Sequence, residues 1–150
     1  MQNELVELLD TAIYKEIASE ALYAAMKDKT SDPGARALMN ELTEEENHHV
    51  RWLTEFRDKG HRRRWRKGLV TDLKVSEHLT SGDTPLGAGL QDTLIFAMKK
   101  EQSAIDFYSR MTGALQSQSA KRLCKRLAME ELRHKLNLEI MYDKLFLGED

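Results

Sequence analysis

The chain has 150 residues, 41% of them apolar and 32% charged, a balance that suits one domain around a single buried core and excludes a disordered chain. A formal net charge of −2 removes any general electrostatic basis for binding nucleic acid or an acidic membrane. One cysteine, Cys124, excludes an intrachain disulfide and an all-cysteine metal site, and no apolar run approaches the ~20 residues that span a bilayer. The opening Met1-Gln-Asn-Glu-Leu lacks the basic and apolar regions of a secretory signal, so a cytoplasmic protein is expected.

Four helices are predicted. Over residues 3–27, Leu5, Leu9, Ala12, Glu16, Ser19, Tyr23 and Met26 recur at helical spacing. Ser31-Asp32-Pro33-Gly34 then breaks the pattern, and an Asp followed by Pro marks the start of a second helix. That helix covers residues 33–59, with Leu38, Leu42, Glu46, His49, Leu53 and Phe56 on one stripe. Residues 60–87 read as a long crossover, containing the basic run His61-Arg62-Arg63-Arg64-Trp65-Arg66-Lys67 and later Ser81-Gly82-Asp83-Thr84-Pro85. A third helix over 88–113 carries Leu90, Leu94, Ala97, Glu101, Ala104, Tyr108 and Met111 in phase. Gly113 and the Gln116-Ser117-Gln118-Ser119 segment separate it from a fourth helix over 117–147.

Shifting the sequence by 85 positions superimposes its two halves without a gap. Leu5 meets Leu90, Leu9 meets Leu94, Ala12 meets Ala97, Glu16 meets Glu101, Tyr23 meets Tyr108 and Met26 meets Met111. In the second helix of each half, Ala35 meets Ala120, Leu38 meets Leu123, Leu42 meets Leu127, Glu46 meets Glu131, His49 meets His134 and Leu53 meets Leu138. The chain is therefore read as two duplicated antiparallel helical hairpins joined by a long crossover, an all-α four-helix bundle forming a single domain over residues 1–150.

Two matched sets carry the chemistry: Glu16, Glu46 and His49 in the first half, and Glu101, Glu131 and His134 in the second. A Glu and a His three residues apart share one helical face. All six fall on the stripes expected to face the core, where a carboxylate is costly unless a cation pairs with it. Four such carboxylates with two imidazoles suit two metal ions, on the dimetal plan of one Glu from each of two helices and Glu-x-x-His from each of the other two. Oxygen-rich ligation with one imidazole per ion favours iron, with manganese possible.

The neighbouring groups take lesser roles. Glu20 lies one turn from Glu16, but its repeat partner is Ile105, so Glu16 is the expected ligand. His48 is rotated ~100° from His49 and is read as a surface or supporting residue; Glu45 and Glu130 are read as solvated. Tyr23 and Tyr108, two turns beyond Glu16 and Glu101, are expected to orient ligand glutamates through their hydroxyls. Met26, Met98, Met111, Met129 and Met141 are assigned to core packing, Cys124 to a packed thiol and His78 to a loop. The basic run at 61–67 is read as a solvated crossover, with docking of an acidic redox partner as the other reading.

Ala12-Ile-Tyr-Lys-Glu16 through Tyr23, Glu44-Glu45-Glu46-Asn-His-His49, Glu101 through Tyr108, and Glu130-Glu131-Leu-Arg-His134 resemble the diiron domain of the rubrerythrin group within the ferritin-like superfamily. The resemblance covers residues 5–145. It implies a centre of two iron ions that reacts with hydrogen peroxide or dioxygen in oxidative-stress defence, with a ferroxidase as the alternative. It also implies that Glu46 and Glu131 bridge the ions, while Glu16 with His49 and Glu101 with His134 terminate them, and that the protein is a homodimer. One cysteine cannot form the four-cysteine iron domain that rubrerythrins carry, so a separate donor such as a rubredoxin-like protein is expected. The residues one turn from Glu101, Met98 and Ala104, provide no extra carboxylate, so the site is expected to be symmetrical.

Overall fold

The computed structural model describes residues 2–61 and 89–148. Residues 62–88, which hold most of the expected crossover, its basic run from Arg62 onward and His78, lie outside the described residues. Two compact units are present, one holding the first two helices and the other the last two. The first unit is α1 (Gln2–Lys29) and α2 (Pro33–His61); the second is α3 (Leu90–Ala114) and α4 (Gln118–Tyr142). α4 continues into a wider π-helical turn at Asp143–Leu147. Among the described residues there is no strand.

Local chemistry sets the helix ends. Asp32 caps α2, its Oδ2 accepting the Ala35 N–H at 2.8 Å, and Pro33 takes the first helical position, where no N–H is needed. Ser117 caps α4 in the same way, its hydroxyl accepting the Ala120 N–H at 3.2 Å. Asp32 and Ser117 are themselves 85 positions apart, so the duplication extends to the caps. Arg36 closes the end of α1 by donating to the carbonyls of Lys27 at 2.7 Å and Thr30 at 3.2 Å. Beyond the π turn, Gly148 adopts a left-handed φ of +61°, a conformation in which a side chain would be strained.

Connections of three residues, 30–32 and 115–117, make each hairpin antiparallel. Repeat-related positions are buried alike: Leu9 with Leu94, Ala12 with Ala97, Tyr23 with Tyr108, Met26 with Met111, Leu42 with Leu127 and Leu53 with Leu138. Each large apolar side chain in these rows contributes about 1.5–3 kcal/mol of transfer free energy before entropy is charged against it.

Two features depart from the repeat. α1 also buries Val6 and Ile13 on one side of its main stripe and Ala18 and Leu22 on the other, whereas the matching positions of α3 hold Gln91, Met98, Ser103 and Phe107, none of them buried. Arg57 near the end of α2 is also buried, its guanidinium paired with Asp10 of α1 and, at 3.2 Å, with Asp58. The matching position in α4 is Tyr142.

The methionines do not all pack in the core. Met26 and Met111 are buried, Met98 and Met141 are half-buried, and Met129 is 72% exposed, against expectation. At ~100° per residue, Met129 is turned about 160° from Glu131 and so points away from the side of α4 that packs.

Candidate metal centre

In the first hairpin, Glu16 stands midway along α1, and Glu46 and His49 lie one turn apart on α2. His49 Nδ1 is 2.6 Å from Glu16 Oε1 and 3.1 Å from Glu46 Oε1. The three side chains are buried to 1%, 0% and 1% exposure. Burial disfavours charge on His49, but hydrogen bonds to Glu16 and Glu46, and their negative charge, outweigh it and push the imidazole up to about 10. Without a metal, this half-site therefore keeps a proton on His49 at neutral pH. Trp52, a residue that sequence periodicity did not single out, lies against the His49 ring with centroids 5.3 Å apart.

The second hairpin repeats the arrangement. His134 Nδ1 is 3.0 Å from Glu131 Oε1 and 3.4 Å from Glu101 Oε2. Exposures are 1% for Glu101 and 0% for Glu131 and His134. In both hairpins Nδ1 is turned to the carboxylates.

In each hairpin the Glu–His pair one turn apart is compatible with a divalent cation on three counts. Two donors ~2.1 Å from one ion at right angles stand about 3.0 Å apart, and the Glu46–His49 and Glu131–His134 separations are 3.1 and 3.0 Å. Two carboxylates against one imidazole leave a net negative charge even when the His is protonated, and burial makes that charge costly without a further cation. The donor set itself, two carboxylates and one imidazole, is hard and oxygen-rich, as iron(II) and manganese(II) prefer. No Cys contributes: Cys124 is buried, and burial pushes its thiol up to about 11.

Glu20, the competing ligand, turns aside. Its Oε2 accepts from the Asn47 side-chain amide at 3.1 Å, and the residue is half-buried. Burial raises its pKa, opposed by the Asn47 hydrogen bond. His48 is exposed, as expected. Glu45 and Glu130 are half-buried rather than fully solvated. Glu130 Oε1 accepts from Arg133 at 3.1 Å, and one of its oxygens lies within 4.8 Å of a His134 nitrogen. Tyr23 and Tyr108 are each 1% exposed, and Phe107 packs edge-on against the Tyr108 ring at 5.4 Å. Sequence reading missed the Asp10–Arg57–Asp58 cluster; the available signal was a second polar residue in α1, Asp10, adjacent to the apolar stripe at Leu9.

No family model matches the chain, and no curated protein matches it. Solved structures do. A hypothetical protein from Pyrococcus furiosus is 24% identical, with a TM-score of 0.75 over 97% of this chain and 92% of its own. A two-domain protein from Anabaena variabilis, containing DJ-1/ThiJ/PfpI-like and ferritin-like domains, is 16% identical, with a TM-score of 0.74 over 99% of this chain and 42% of that one. A dodecameric thioferritin, the bacterioferritin-related protein of Bacteroides fragilis, is 14% identical, with a TM-score of 0.68 over 99% of this chain and 93% of its own. These likenesses define the fold class as an all-α, ferritin-like four-helix bundle. No helix among the described residues is long and apolar enough to cross a membrane.

Proposed function

We propose that the chain is a non-haem diiron oxidoreductase of the rubrerythrin type, reducing hydrogen peroxide (or dioxygen) at a carboxylate-bridged iron pair. The observation that carries this reading is the twofold occurrence of a buried set of two glutamates and one histidine, with the same spacing and the same Nδ1 orientation in each hairpin. Glu16 and His49 would hold one ion and Glu101 and His134 the other, with Glu46 and Glu131 shared between them. Bound as iron(II), the pair supplies two electrons, the number needed to reduce hydrogen peroxide to water.

The chain's own residues prepare that chemistry. Glu16, Glu46, Glu101 and Glu131 supply charge that offsets two cations, and their burial keeps bulk water out. His49 must release its Nδ1 proton to become a ligand, so loading is coupled to proton release. The Tyr23 and Tyr108 hydroxyls, held in the core two turns from Glu16 and Glu101, would orient those carboxylates. The one cysteine among these 150 residues cannot form a four-cysteine iron site, and the proposed electron donor is a rubredoxin-like protein in the cytoplasm. Neither nucleic acid nor a membrane is a proposed partner.

Stopped-flow mixing of the iron(II)-loaded protein with peroxide or with dioxygen tests the reaction. Faster oxidation by peroxide supports the peroxidase. The likeness of fold to a dodecameric thioferritin favours a second reading, a ferroxidase that handles or stores iron. Faster oxidation by dioxygen, with uptake of further iron by a large closed assembly, would select it.

A further inference from the structure

The ligands of the first hairpin are buried, so an ion needs a way in. A groove of about 350 Å³ opens between α1 and α2, lined by Glu20, Thr43, Glu44, Asn47, His48 and Arg51. Exposure falls step by step toward the ligands. Glu44, His48 and Arg51 are exposed, Thr43, Asn47 and Glu20 are half-buried, and Glu16, Glu46 and His49 are buried. Glu44 and His48 stand one turn apart on α2, and Glu20 stands one turn from Glu16 on α1. A polar chain joins the outer and inner parts. Arg51 donates to Asn47 Oδ1 at 2.7 Å from Nη2 and 3.1 Å from Nε, and Asn47 donates to Glu20 Oε2 at 3.1 Å.

The duplication shows that packing does not require this chemistry. The ligands are the same in both hairpins, yet 85 positions on from Glu20, Glu44, Asn47 and His48 stand Ile105, Met129, Leu132 and Arg133. An apolar residue therefore serves at the position of Glu20 in the other half. Burial disfavours a carboxylate there, and so does the charge of Glu46; the Asn47 hydrogen bond and the charge of Arg51 offset this only in part. A carboxylate kept at that cost, one turn from a ligand, has a use that the fold alone does not explain.

We propose that divalent cations reach the first hairpin's ligands through this groove, with the Glu20 carboxylate as the last holding point before Glu16 and Glu46; the route rests on the metal centre proposed above. Glu44 and His48 offer an oxygen and a nitrogen at the mouth. The groove carries two carboxylates against one guanidinium, which is itself engaged by Asn47. A cation arriving at Glu20 takes the place of the Asn47 amide and then passes one turn along α1 to Glu16. At the matching positions the second hairpin offers a cation no side-chain oxygen. Glu20 is thus a residue of the path, not of the final ligand set.

Stopped-flow mixing of metal-free protein with iron(II) under anaerobic conditions tests the route. With Trp65→Phe in every protein, Trp52 is the sole tryptophan, and its ring lies against His49 with centroids 5.3 Å apart, so its fluorescence reports filling. Glu20→Gln keeps an oxygen that can accept from Asn47 and removes the charge. It should slow both loading and chelator-driven release by ~10-fold, leaving the final stoichiometry and affinity unchanged. Glu7→Gln, which removes an exposed carboxylate of α1 outside the groove, should change neither rate. Loading of Glu20→Gln at the unmodified rate overturns the proposal, as does equal slowing by Glu7→Gln. A loss of affinity carried by faster release overturns it too, because Glu20 would then be a ligand. Those three results leave the metal centre standing, whereas an unmodified protein that binds no iron(II) removes the centre and the route together.

Discussion

Raising the pH of metal-free protein should destabilise it in a window set by His49. Its folded-state pKa is about 10, against an ordinary value of 6.5. A raised pKa contributes stability that is fully present below about 6.5 and is lost as pH climbs through about 10. Between pH 7 and 9 the folded state keeps the Nδ1 proton while the unfolded chain has largely released it. Each pH unit then costs close to 1.4 kcal/mol per proton, or about 2–2.5 kcal/mol across the window. Cys124 acts with the same sign, but its ordinary value of 9.0 and folded value of about 11 place its effect above pH 9. Urea unfolding of chelator-treated protein at pH 7, 8 and 9 reads the slope directly. His49→Gln should flatten it, and Glu16→Gln should reduce it by removing the closest negative partner. Stability that does not fall between pH 7 and 9 would refute the reasoning, because it would mean that His49 is neutral beside two buried carboxylates.

The same proton predicts that iron(II) affinity rises with pH up to about 10, since binding must displace it; isothermal titration in buffers of different ionisation enthalpy counts the released proton. Glu46→Ala or Glu131→Ala should abolish paired metal binding, measured as the loss of two-ion stoichiometry, while the fold persists by circular dichroism. Asp32→Ala and Ser117→Ala each remove a cap and should each cost about 1 kcal/mol in urea unfolding. Asp10→Ala removes one of the carboxylates paired with the buried Arg57 guanidinium and should cost up to about 3 kcal/mol.

The inward faces of the helices were legible in the sequence because burial imposes a helical period, and Glu16, Glu46, His49 and their partners at +85 are polar residues inside that period. The Asp32-Pro33 start was legible for a local reason: cap chemistry needs only a few neighbouring residues. Glu16 was separated from Glu20 by the repeat, and in the structure Glu16 lies against His49 while Glu20 accepts from Asn47. The outward faces were less legible. Met129 is apolar and follows Leu127 closely, so hydrophobicity alone assigned it to the core; only its angle around α4 puts it in solvent. The Arg57 cluster was missed because its partner Asp10 comes from a helix 47 residues away, a separation that no local pattern records. The further buried positions of α1 were missed because Val6 and Ile13 flank the main stripe on one side and Ala18 and Leu22 on the other, outside its period.

The central claim is that each hairpin supplies the ligands of one ion. Anaerobic titration of metal-free protein with iron(II), followed by thermal unfolding at each step, tests it most directly. The account predicts saturation at two ions per chain, with the melting temperature rising as the sites fill, because an ion bound only by the folded state stabilises that state. Titration without stoichiometric binding, and an unchanged melting temperature, would contradict it.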